Sequence, residues 1–135
     1  MNGGPIDWRD LFSSASGRIS RTRFWIAVVL LFTVAAAYEA AAGPTLKVLT
    51  FWIIYPVLLA SATCVLAKRL HDRGRSGWWA ALVLFVVVMI WPSPHGVRGL
   101  LAVPVLIWAF VELGLMAGEQ GANRFGPGPS VMTIA

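Results

Sequence analysis

The densest chemistry in the chain lies in Lys68-Arg69-Leu70-His71-Asp72-Arg73-Gly74-Arg75-Ser76-Gly77-Trp78-Trp79. Five charged side chains and a histidine fall within its first eight residues, and two tryptophans close it. The pattern reads as a tight turn followed by a helix start. Ser76 is placed to cap that helix, and Gly74 and Gly77 permit positive φ. Free N–H groups at a helix N-terminus beside Arg69 and Arg75 suit an anion such as a phosphate, on a lipid or on a small molecule. The same residues also serve as a basic loop with an aromatic pair at a membrane interface.

His71 and Asp72 invite an acid–base reading, but neighbours on a helix or turn point in different directions, so adjacency does not make a dyad. A metal-dependent phosphohydrolase would need further histidines, and only His95 remains. A His/Cys zinc site lacks ligands, and no metal or cofactor is expected. Asp72 is expected to pair with a nearby arginine or cap a turn, and His71 to rest at the interface. The lone Cys64 falls in a stripe of small residues, Ala60, Thr63, Cys64 and Ala67, where helices meet. A reactive thiolate would need a basic, partly wet setting instead.

Glu112 is the other candidate, an acid well inside an apolar segment. Such acids are costly, and a proton-coupled transporter or a channel would use one. The structural alternative pairs Glu112 with Lys68, Arg69 or an arginine from the start of the chain.

The elements that must position these residues follow from composition. The chain is 58% hydrophobic and only 13% charged, against ~25% charged in an ordinary domain. With one cysteine, this excludes a disordered chain, a disulfide scaffold and an ordinary soluble enzyme. A bilayer core of ~30 Å needs about 20 apolar residues as helix. Residues 24–42 and 48–67 are long enough, and 100–117 nearly so. Residues 78–91 form a short segment, read as a thinned span or the arm of a re-entrant hairpin. The expected fold is an all-α integral membrane protein, a bundle of four transmembrane helices over residues 24–117.

Basic residues set the orientation. Arg9, Arg18, Arg21, Arg23, Lys68, Arg69, Arg73, Arg75 and Arg124 fall on one side of such a bundle, and Lys47 and Arg98 on the other. That bias puts both termini in the cytoplasm. The +5 charge is thereby accounted for at span ends, and nucleic acid is not an expected partner.

Residues 1–23 form a cytoplasmic segment with a short amphipathic turn, Trp8, Leu11 and Phe12 sharing a face at the interface. Ser20 is the expected cap of the first span, and Arg21 can stack on Trp25 four residues on. The run Ala35-Ala36-Ala37 with Ala40-Ala41-Ala42 resembles a signal-peptide cleavage site, but 23 residues are long for the region before it, and close helix packing explains the alanines. Pro56 and Pro104 are expected to kink their helices. Gly114 and Gly118 make a small-residue pair for packing or for a homo-oligomer. Residues 118–135 form a Gly/Pro-rich cytoplasmic tail, with Phe125 dipping into the interface and disorder beyond Ser130.

Three stretches carry a resemblance. Gly17-Arg18-x-Ser20-Arg21-x-x-Phe24-Trp25, then Arg69-Leu70-His71-Asp72-x-Gly74-x-Ser76-Gly77-Trp78-Trp79, then Gly121-x-Asn123-Arg124-Phe125-Gly126-Pro127-x-Pro129 resemble, in order, the signatures of the DUF805 family of small bacterial inner-membrane proteins. The match runs from about Phe12 to Pro129. The family has an acid between the last two prolines where this chain has Gly128. The resemblance implies a four-helix, multi-pass bacterial inner-membrane protein without an assigned activity.

All three signatures fall on the expected cytoplasmic side. They suggest one cluster of Arg18, Arg21, Arg69, His71, Asp72, Arg75, Ser76, Asn123 and Arg124. The leading expectation is a non-enzymatic module whose basic and aromatic cytoplasmic face binds anionic lipid headgroups or a protein partner. A transporter or channel using Glu112, and an enzyme on phosphorylated lipid using His71 and Asp72, are the alternatives.

Overall fold

The computed structural model describes residues 7–128. Within them, α1 spans Trp8–Ser13, α2 Arg21–Ala41, α3 Pro44–Asp72, α4 Trp79–Ile90 and α5 Gly96–Ala109, which runs on into a π-helical segment, Phe110–Leu115. No strand occurs among the described residues. Three helices, Arg21–Ala41, Pro44–Asp72 and Gly96–Leu115, are long and apolar enough to cross a membrane, and α4 is a shorter apolar helix. At 12 residues α4 extends about 18 Å, well under a ~30 Å hydrocarbon core.

Two helical hairpins form a ring: α2 packs on α3, α3 on α4 and α4 on α5, and the ring closes where α2 meets the π-helical segment. Arg18, Asp72 and Glu119, which precede α2, end α3 and follow the π-helical segment, all meet at one end of the bundle. The buried residues gather at this end, with Leu11, Ile19, Phe24, Ala27, Val65, Leu66, Leu70, Ala80, Val83 and Leu113 in one cluster.

Local rules explain the boundaries. Asp7 caps α1 by accepting from the N–H groups of Arg9 and Asp10, both at 3.1 Å. Trp8 stacks on Phe12, and Leu11 is buried against the bundle, so α1 is tied into the core as well as being amphipathic. Ser20 caps α2 as expected, accepting from Arg23 N–H at 3.4 Å. Pro44 begins α3, where its missing N–H has no cost. Pro56 and Pro104 lie inside their helices.

Several expectations are corrected. The helix that carries residues 48–67 does not stop at Ala67 but continues to Asp72, with Lys68 paired to the exposed Asp10 of α1 and Arg69 to the buried Asp72. Ser76 is not the cap of α4: Trp78 holds that place, and the Ser76 hydroxyl accepts from Trp78 N–H at 3.4 Å, before the helix starts. Gly74 has a φ of +70°, but Gly77 has an ordinary φ and is needed for space, since a Cβ there would lie 3.2 Å from both Ala67 Cβ and His71 Nε2. Ala36, Ala37, Ala40 and Ala41 are exposed, as are Ala60 and Thr63, so of those two small stripes only Ala67 is buried. The expected disorder beyond Ser130 lies outside the described residues, as does Pro129.

Candidate functional site

The centre of the site is the end of α3. Asp72 is 2% exposed, and its carboxylate is gripped by two guanidinium groups. Arg18 Nε donates to Oδ1 at 3.0 Å, and Arg69 Nη1 donates to Oδ2. Buried charges must be paired and fully hydrogen-bonded to be tolerated. The remaining donors meet that requirement through backbone carbonyls. Arg18 Nη1 donates to Gly121 O at 2.6 Å and to Gly126 O at 3.4 Å, and its Nη2 to Glu119 O. The tail is thus folded around one arginine.

Arg69 performs the equivalent task for the end of the last helix. Its Nε donates to Leu113 O at 2.7 Å, Nη2 to Met116 O at 2.7 Å and Nη1 to Ile19 O at 3.3 Å. Arg21 donates to Leu115 O at 2.7 Å, Trp25 Nε1 to Gly114 O at 3.0 Å and Arg73 to Ala117 O. A helix leaves its last carbonyls without intrahelical partners and carries partial negative charge there. Here five consecutive carbonyls, from Leu113 to Ala117, accept from side chains of α2, α3 and the loop after it. Arg21 and Trp25, expected to stack on each other, are instead neighbouring donors to this helix end. Cation–π contacts are made instead by Arg75 with Trp108, 6.0 Å from the ring centroid, and by Arg124 with Phe125, at 4.6 Å.

Glu112 pairs with neither Lys68, Arg69 nor an arginine of the N-terminal segment. Its Oε1 accepts from Arg75 Nε at 2.8 Å and from Arg73 Nε at 3.2 Å. Arg69 is unavailable because Asp72 and two carbonyls of the helix end occupy it, and Lys68 is drawn to Asp10 of α1, 2.7 Å away. The cations of the turn, two residues apart, are what reach Glu112.

His71 and Asp72 do not converge. His71 Nδ1 lies 3.1 Å from Gly17 O, and its ring stacks on Phe125 at 4.0 Å between centroids with 8° between planes. Phe125 therefore covers the histidine. Asn123 secures this arrangement: its amide donates to His71 O at 2.9 Å and to Glu119 Oε2 at 2.7 Å, while its own Oδ1 accepts from Phe125 N–H at 2.9 Å. Glu119 N–H donates to Asp72 O at 2.7 Å.

The glycines are explained by these approaches. A Cβ on Gly118 would strike the Asp72 carboxylate, one on Gly114 would strike the Trp25 ring, and one on Gly74 would meet the Glu119 carboxylate. Both members of the Gly114/Gly118 pair are thus engaged within the molecule.

Of the expected cluster, Arg18, Arg69, Asp72, His71 and Asn123 form one connected network. Arg21 joins it through the helix end, and Arg75 holds Glu112, which Arg73 links to the same helix end through Ala117 O. Ser76 contributes only to its local turn, and Arg124 lies exposed over Phe125. Sequence reading missed Glu119 and Arg73. It also missed a polar group at the other end of the bundle, where Lys47 pairs with Glu39 at 2.7 Å, Tyr55 donates to Glu39, and Trp91 Nε1 donates to the Tyr55 hydroxyl at 3.1 Å. An acid and a lysine eight residues apart across the α2–α3 turn were the available signal.

Comparison with known proteins gives the chain its relatives. Residues 12–127 match the family model described as a protein of unknown function, DUF805, and the chain belongs to that family. It is 34% identical over 122 residues to the uncharacterized protein YiiR of Escherichia coli (strain K12), covering 84% of each chain. It is 27% identical over 125 residues to the inner membrane protein YhaH of the same strain, covering 85% of this chain and 86% of the relative. No solved structure matches.

Proposed function

We propose that this member of the DUF805 family is a four-span inner-membrane protein with the Asp72 end in the cytoplasm, and that this end is a non-enzymatic module binding anionic lipid headgroups. Basic residues dominate the loops and segments at that end, which supports the orientation. A short α4 is accommodated by local thinning of the bilayer around it.

One observation carries the binding reading. The acids at that end are engaged: Asp7 caps α1, Asp10 pairs with Lys68, Asp72 with Arg18 and Arg69, Glu112 with Arg73 and Arg75, and Glu119 accepts from Asn123. Arg9, Arg21, Arg75 and Arg124 nevertheless stay exposed, beside Trp78 and Trp79, which are 85% and 44% exposed. Cations with aromatic rings at one level suit an anionic headgroup layer. Arg18 and Arg69, by contrast, serve the fold and are closed to ligands.

The alternatives have less support. Glu112 is clamped by two arginines, which occupy the carboxylate that a transporter would leave open to its cargo. His71 and Asp72 face different partners, His71 Gly17 O and the Phe125 ring and Asp72 the two arginines, so they do not converge as an enzyme on phosphorylated lipid would require.

The test is native mass spectrometry of the purified protein with phosphatidylglycerol and phosphatidylcholine added in turn, comparing wild type with Arg21→Gln/Arg75→Gln/Arg124→Gln. Wild type should retain phosphatidylglycerol at least tenfold more strongly than the triple variant, at equal helicity by circular dichroism. Equal retention of both lipids by both proteins would overturn the reading.

A further inference from the structure

Between the helices lies a cavity of about 610 Å³, bounded by α2, α3, α4 and the α5–π-helical segment. It falls within the ~300–1,000 Å³ range of small-molecule pockets. Along α2 it runs from Phe24 to Ala35, about 16 Å at the helical rise, and along α3 from Leu66 to Tyr55, the same distance. It is therefore an elongated space parallel to the helices. The Trp25–Phe110 pair floors it near the Asp72 end, and the Phe32–Trp91 contact roofs it at the other.

Its chemistry is one-sided. Each polar side-chain atom among the lining residues is engaged elsewhere: Trp25 Nε1 on Gly114 O, the Tyr55 hydroxyl on Glu39, and Trp91 Nε1 on that hydroxyl. An occupant finds almost nothing but carbon to touch, so a polar molecule would lose its hydration without replacement. Left empty, the space would forfeit the dispersion contacts of its walls.

The way in is lateral. α2 meets the last helix chiefly at the π-helical segment, so the ring is open towards the side above that contact. Large side chains border the cavity on these two helices, Val28 and Phe32 on α2 and Leu106 and Phe110 on the last helix. Membrane helices associate through small residues that let backbones approach. This border keeps a neighbouring helix at a distance while admitting a thin chain.

We infer that the cavity takes one acyl chain of a membrane phospholipid, inserted sideways between α2 and α5. The inference rests on the membrane placement proposed above, and not on the headgroup contacts. The bound chain completes the packing of the half of the bundle that the protein's own core leaves open.

The experiment uses the full chain with the zwitterionic lipid palmitoyl-oleoyl-phosphatidylcholine, which takes the basic face out of the comparison. The protein is reconstituted, stripped by detergent exchange and weighed by native mass spectrometry. Wild type should keep one lipid. Ala62→Phe on α3 and Ala35→Phe on α2, which each place a ring in the cavity from a different wall, should keep at least fivefold less, while Ala36→Phe on the exposed side of α2 should behave as wild type. Two variants on separate helices guard against one failing to fold, and circular dichroism scores each. Retention unaffected by both filling variants, a stripped wild type without lipid, or a protein dimer in place of the lipid adduct would each overturn the inference. Arg21→Gln/Arg75→Gln/Arg124→Gln should retain the lipid as wild type does, so the headgroup proposal and this one fail separately.

Discussion

Arg18 and Asp72 stand 54 positions apart and meet in a buried ion pair, with side chains 0% and 3% exposed and Nε to Oδ1 at 3.0 Å. The pair joins two signature segments, and the carbonyls of Glu119, Gly121 and Gly126 on the same guanidinium bring in the third. The three motifs are conspicuous in the sequence because they are one structure: an arginine before the first long helix, the carboxylate that receives it, and the tail that wraps it. Asp72 is the critical member, since its loss leaves two buried guanidinium groups without a counter-charge, whereas loss of either arginine leaves the carboxylate one partner.

Replacing Asp72 should therefore be severe. Asp72→Ala strands two buried guanidinium groups and is expected to cost about 3–5 kcal/mol. Asp10→Ala should cost far less, because Lys68 keeps the Asp10 backbone carbonyl as an acceptor. Thermal unfolding in nanodiscs checks the order, and equal losses of Tm in the two variants would count against the buried triad.

Arg18→Lys should not restore the wild type. One ammonium cannot reproduce the fork that holds Asp72 and three carbonyls at once. Trypsin cleavage after Arg124, followed by mass, is expected to rise in Arg18→Lys as the tail loosens. Unchanged cleavage would show that the tail is held by other contacts.

Gly118→Ala should act through space alone, since Gly118 has no positive φ but lies against the Asp72 carboxylate. Gly121→Ala offers the contrast of a positive φ in open space, which costs about 1–2 kcal/mol. Gly118→Ala is expected to lower Tm more than Gly121→Ala, and the reverse order would mean that the backbone there can shift aside.

His71 and Phe125 should be coupled. Offset aromatic stacking contributes about 0.5–1.5 kcal/mol beyond the area it covers. A double-mutant cycle with His71→Ala and Phe125→Ala, read by unfolding, should return a value in that range. A coupling of zero would make the stack incidental.

The helices were legible because apolar runs declare themselves, and Ser20 showed where α2 begins. The end of α3 was not, because Lys68 and Arg69 look like a membrane boundary until Asp10 and the carbonyls of Leu113 and Met116 are known to receive them. Asp72 could be expected to meet an arginine from its own neighbourhood, which Arg69 supplies. Arg18 needed the fold. The partner of Glu112 was hidden for a related reason: Arg69 stands nearer to the apolar segments but is already occupied, and only the turn brings Arg73 and Arg75 over. The cavity left no signal at all in the sequence, since a wall of leucines and valines facing an open space reads the same as one facing a neighbour.

The claim that the Asp72 end engages anionic headgroups is tested most directly in a bilayer. Spin-labelled phosphatidylglycerol and phosphatidylcholine, introduced separately into proteoliposomes, report by electron paramagnetic resonance how much of each is held at the protein surface. The account predicts a larger restricted fraction for phosphatidylglycerol, falling towards that of phosphatidylcholine at high salt and in Arg21→Gln/Arg75→Gln/Arg124→Gln. Equal fractions for the two lipids at low salt in the wild type would contradict it.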